Sequence, residues 1–347
     1  MEATPLETPF PKLLAEYLNP ILPDRVAYGV ILAAGDENIA AHDLGALINS
    51  DSGYRHYLFA QSFLSERMSE WNSEMEKTSN RDEILLHRIL GLMGKVSIRN
   101  LIACALTSRV LGEPVLREGD EKISTTPSKT IPFALAAEKI CEEQNWIFPE
   151  AAFWAGLHYD WLAAIIKKRN GSPEEKAALD TAFKDGIKMA RTAYRLGLKM
   201  KEIKLAKYLF AAGLIFPIGT VVMSCLYPKT DGDKSWAKFV ADCEQAGERK
   251  VDYYYYLEPK RFPITHYEAA SLIVSFGGLL RGIEKAIYFS SDPERLKKID
   301  VGLYQLASIL SAISAFELSG EKALSEPHFE KWMKANKITA DAFKTGA

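Results

Sequence analysis

The chain has 347 residues, 48% hydrophobic and 25% charged, which is the balance of a folded protein rather than of a disordered tail or coiled coil. Its 43 basic and 45 acidic side chains leave a net charge of −2, so no basic surplus points to nucleic acid or an anionic bilayer as a partner. The four cysteines (Cys104, Cys141, Cys225 and Cys243) lie far apart without a C-x-x-C, which argues against a cysteine zinc site.

Residues 1–23 carry Pro5, Pro9, Pro11, Pro20 and Pro23, which makes this N-terminal segment a poor helix interior. It has neither the basic start nor the apolar run of a signal peptide, so the expected location is the cytoplasm. From Arg25 onward apolar residues recur at helical intervals and alternating strand patterns are almost absent, so the expected fold class is all-α. A first helical lobe is expected over residues 24–118. Within it, Leu44, Leu47 and Ile48, then Tyr54, Leu58 and Phe59, mark apolar helix faces, and Asn80 with Glu83 resembles a capping box. Gly91 and Gly94 loosen or end the helix that follows, before Ser97 opens another apolar run.

Residues 119–130 lie in a stretch rich in Gly, Pro, Ser, Thr and charge and read as a linker. The second lobe is expected over 131–320, with an extra helical pair at 131–170, and 321–347 form a C-terminal tail. Ser172, Pro173, Glu174 and Glu175 spell a helix start: a cap, a preset φ and two acids at the positive end. Ala151–Ile166 and Tyr208–Met223 form an imperfect repeat in which Gly156 aligns with Gly213 and Leu157 with Leu214. It reads either as a duplicated helix pair or as two similar buried helices. Thr265 and Glu268 form a further capping box.

The stretch Leu205–Leu226 carries no charge after Lys207 and is long enough to cross a bilayer. Pro217 and Gly219 interrupt it, no second comparable run is evident, and the flanking sequence looks globular. A buried helix pair is therefore favoured, with Phe216 ending one helix and Pro217 opening the next, and no membrane span is expected.

Ala212-Gly213-Leu214-Ile215-Phe216-Pro217-Ile218-Gly219 resembles the A-G-L-L-H-D-I-G segment of HD-type phosphohydrolases and their HDOD relatives. Asp43-Leu44, Leu47-Ile48, Asp51, Ala60 and Ser62 resemble the HDOD pattern D-L-x-x-L-I-x-x-D … A-N-S, with Gln61 in place of the Asn. Met93-Gly94, Arg99-Asn100-Leu101, Ile264-Thr265-His266 with Glu268, and Ser291-Asp292-Pro293 follow in the family's order. The resemblance implies a two-lobed helical HDOD-like fold. At the metal-binding His and Asp of catalytic members this chain has Phe216 and Pro217, and a phenyl ring and a pyrrolidine have no lone pair for a cation. Neither metal nor cofactor is therefore expected.

Among candidate site residues, His158 and Asp160 stand two apart on a helix and face opposite sides, which does not suit a shared metal. His266 stands in a helix first turn beside Glu268, where capping hydrogen bonds account for it. Tyr253, Tyr254, Tyr255 and Tyr256 cannot all be buried on one helical face, which makes them candidates for an interaction surface as well as for packing under a loop. No nucleophile elbow or phosphate loop occurs. The resemblance implies a non-catalytic bacterial signalling module that acts through protein–protein interaction, in the setting of cyclic di-GMP networks or regulatory cascades. Two alternatives stay open: a metal-dependent phosphohydrolase using His158, Asp160 and His266 in a displaced site, and a non-catalytic receptor for a cyclic dinucleotide.

Overall fold

The computed structural model describes residues 25–34, 39–51, 53–55, 57–58, 81–111, 127–146, 149–201, 203–246, 257–277 and 282–344. Among them every regular element is helical, as the periodicity requires. The main helices are α1 (Arg25–Ala34), α2 (Ala41–Asn49), α3 (Arg81–Leu111), α4 (Pro132–Glu143), α5 (Pro149–Lys168), α6 (Pro173–Lys199), α7 (Ile203–Ile215), α8 (Ile218–Leu226), α9 (Trp236–Gln245), α10 (His266–Gly277), α11 (Val301–Ser319) and α12 (Pro327–Asn336). Asn80, Phe59 to Ser62 and the four tyrosines, Tyr253 to Tyr256, lie outside the described residues.

The local signals act as their chemistry dictates. Ser172 Oγ accepts the Glu175 N–H at 3.2 Å while the Glu175 carboxylate accepts the Ser172 N–H at 2.8 Å, a reciprocal box that opens α6. Thr265 and Glu268 exchange the same pair of bonds, at 3.2 and 2.9 Å, and open α10. Inside α3 the backbone leaves helical geometry at Gly94, with φ 73°, a value that only glycine adopts without strain.

Residues 131–170 supply α4 and α5, and α5 lies inside the fold. Every residue of α5 from Ala155 to Leu162 is buried, so the helix is enclosed all round for about two turns. It packs against α3, α4, α6 and α7. Arg99 of α3 reaches Glu138 of α4 with both carboxylate oxygens at 2.7 Å, and its guanidinium lies 3.8 Å from the centre of the Phe153 ring of α5. This buried pair ties three helices together, and burial pushes the Glu138 carboxyl above its usual range against the pull of Arg99. The buried side chains join into one cluster that runs from Ala27 to Phe343.

In each half of the sequence repeat the aligned glycine lies against the backbone of the helix before it. A Cβ on Gly156 would lie 2.5 Å from the Phe133 carbonyl of α4, and one on Gly213 would lie 2.8 Å from the Ala190 Cα of α6. In each case the aligned glycine lets its helix press its backbone against the preceding one.

The expectations of no membrane span and of a cytoplasmic location are corrected. Among the described residues three helical stretches, Leu86–Leu111, Tyr208–Leu226 and Val301–Ser325, are long and apolar enough to cross a membrane. The sequence reading erred in its premise that Leu205–Leu226 has no comparable companion. Scattered charges, such as Arg88 and Arg99 in one stretch and Glu317 and Lys322 in the other, concealed two apolar windows. The three differ in surroundings: 89% of the Tyr208–Leu226 window is buried inside the fold, against 56% of each of the others.

Candidate functional site

The positions singled out at Phe216, Pro217 and His266 come together in one cleft of about 320 Å³. Proline decides the local geometry. Phe216 still donates its N–H to the Ala212 carbonyl at 2.9 Å, Pro217 then caps α8 with φ −70°, and Thr220 Oγ1 donates to the Pro217 carbonyl at 2.7 Å. The chain thus turns from α7 into α8 at the cleft wall. A Cβ on Gly219 would fall 2.0 Å from the His266 carbonyl oxygen, so the α8 and α10 backbones touch there and hold His266 in place.

His266 is fixed from the other side by Glu258, which has no exposed surface. Glu258 accepts the His266 backbone N–H at 2.5 Å through Oε1 and the ring Nδ1–H at 2.7 Å through Oε2. The imidazole lies 3.8 Å from the Tyr267 ring centre and meets the Phe216 ring edge-on at 6.4 Å. Its orientation is therefore set by a carboxylate and two aromatic neighbours. The expected capping role falls to Thr265 and Glu268, while His266 is held by a residue from the preceding turn.

Asp185 and Lys188 come to the same cleft from α6, and Ser314 and Glu317 from α11. Phe216, Met189, Ser314 and His266 are buried, whereas Asp185, Lys188 and Glu317 are exposed, so the charges form a rim around an apolar floor. Lys188 pairs with Glu317 across the cleft. Burial and the neighbouring Glu317 hold the Asp185 carboxyl above its usual range, with Lys188 opposing. In the sequence Asp185 and Lys188 are two of many charges along α6 and Glu317 is a lone charge on α11, so no local pattern marks them. What could have flagged them is the return of α11 to the Phe216–Pro217 turn, which no local pattern contains.

His158 and Asp160 are elsewhere, inside α5 and both buried. The His158 Nδ1–H donates to the Trp154 carbonyl at 2.8 Å, and burial pulls the ring pKa down to about 4. Its Nε2 is buried without a hydrogen-bond partner. Asp160 accepts the Phe133 and Ala134 N–H groups at 3.0 and 2.9 Å. It thereby caps α4, whose own N-cap residue Ile131 has no side-chain acceptor. Burial raises the Asp160 pKa against these two bonds. Both residues are structural in this arrangement, and neither reaches the cleft or the surface.

A second cavity of about 640 Å³ lies between α9 and the Glu258–Arg261 turn, where Arg261 bonds Asp242 at 2.9 Å. Among the described residues no group of three or more His, Cys, Asp and Glu side chains is placed to hold a metal ion. Comparison with family models, with curated proteins and with solved structures found no match to this chain.

Proposed function

We propose that this chain is a non-catalytic regulatory module that acts by binding a protein partner, as its resemblance to the HDOD family implies. The observation that supports this reading is the makeup of the α6–α8–α10–α11 cleft. Where catalytic relatives present an imidazole and a carboxylate, Phe216 and Pro217 present hydrocarbon. The nearby imidazole, His266, is buried, with its Nδ1 held by Glu258 and its ring set against those of Tyr267 and Phe216. Lys188 and Glu317 neutralise one another at the rim. A cleft of this kind offers shape and a ring of charge, the attributes of a recognition surface. The setting that the resemblance implies is a bacterial signalling cascade, including those built on cyclic di-GMP.

The test pairs a hydrolysis assay with capture. Purified chain supplied with manganese, iron or zinc is expected to leave phosphodiesters intact, and native-cell capture is expected to retain a partner that is lost on Phe216→Ala. Capture is run on soluble and membrane fractions, since three helices are long and apolar enough to span. Metal-dependent turnover abolished by His158→Ala or His266→Ala would replace this reading with the displaced phosphohydrolase.

A further inference from the structure

We infer that the α6–α8–α10–α11 cleft is a socket for a basic side chain, a lysine or arginine presented by the protein partner; this inference rests on the binding reading above. The charge around the cleft is the first reason. Two carboxylates, Asp185 and Glu317, face one ammonium, Lys188, and the ammonium is committed to Glu317. Asp185 makes no hydrogen bond or ion pair among the described residues and feels Lys188 only at longer range, so the rim carries one carboxylate in excess. An incoming cation meets that carboxylate directly. An incoming anion would have to break the Lys188–Glu317 pair and then sit beside Asp185.

The second reason is how polarity is layered. The floor is the Phe216 ring, the Met189 thioether, the Pro217 ring and the His266 imidazole, with the Ser314 hydroxyl, while the charges are at the mouth. A lysine or arginine side chain has the matching order, a hydrocarbon stem under a charged head. Size agrees as well. A cleft of about 320 Å³ has room for either basic side chain. One free carboxylate is a poor cage for a bare divalent ion, which takes six or more oxygens, but it suffices for an ammonium or guanidinium.

The probes are the peptide Gly-Gly-Lys-Gly-Gly, its norleucine and glutamate counterparts, and n-butylammonium, titrated against the full chain and followed by amide shifts of α6 and α11 residues. The lysine peptide is expected to bind saturably, the norleucine and glutamate peptides more weakly. Asp185→Asn should weaken the lysine peptide about three- to fivefold, the upper range for a partly exposed pair. Lys188→Gln, which frees Glu317, should tighten it, and both variants lie at the rim where folding is insensitive to them. Equal binding of the norleucine peptide, preference for glutamate, or an unchanged affinity in Asp185→Asn overturns the inference. Tighter binding of n-butylammonium than of the lysine peptide assigns the socket to free amines and overturns the protein-partner assignment. If no probe binds and no hydrolysis is seen, the socket alone falls; hydrolysis would remove the binding reading itself.

Discussion

Replacing His158 with phenylalanine should remove an acid-sensitive component of stability. In the fold the ring is neutral with a pKa of about 4, whereas in the unfolded chain a histidine titrates at about 6.5. Between those values the unfolded state takes up a proton that the folded state does not, so stability falls as pH falls from about 6.5 through about 4. Each pH unit is worth about 1.36 kcal/mol, so the full loss is about 3 kcal/mol, of which about 2 kcal/mol has appeared by about pH 5. Phenylalanine fills nearly the same volume, forfeits the Nδ1–H bond to Trp154 and removes the unpartnered Nε2. Any packing cost is the same at both pH values and cancels. Urea unfolding of both proteins at about pH 7 and pH 5 should show the wild type losing about 2 kcal/mol more than His158→Phe over that interval. Parallel losses would mean that His158 is protonated or solvated in the native state, and the account of α5 as an enclosed central helix would fail with it.

Arg99→Met should cost about 3–5 kcal/mol, because Glu138 is left buried without its partner, and adding Glu138→Met should recover most of that loss. A double-mutant cycle by thermal unfolding measures it, and a single-variant loss under about 1 kcal/mol would show the pair to be solvated. Gly219→Ala places a Cβ against the His266 carbonyl, so it should cost about 1–3 kcal/mol and weaken partner capture by parting α8 from α10. Urea midpoints and the capture assay read the two effects separately.

The helical class, the breaks at Gly94 and Pro217, the helix start at Ser172 and the box at Thr265 were all legible in the sequence, because each is set by residues within one or two turns. The meeting of Phe216, Pro217 and His266 in one cleft was not legible in the sequence, since fifty residues separate the turn from the histidine. Asp160 is a second such case. Helix spacing sets it apart from His158 but does not say what it binds, and its partner is the start of α4, which lies earlier in the chain and offers no cap of its own.

Membrane-spanning potential was misjudged for a related reason: a few charges disguise an apolar helix in a linear reading. Periodicity and capping chemistry are local, and the order of residues alone determined that this chain is a succession of helices with those boundaries. Which helix lies at the centre, which carboxylate caps a distant helix, and which charges ring the cleft were decided by tertiary packing. Those outcomes depend on desolvation and on close backbone approach between segments far apart in sequence, and no window along the chain contains both partners.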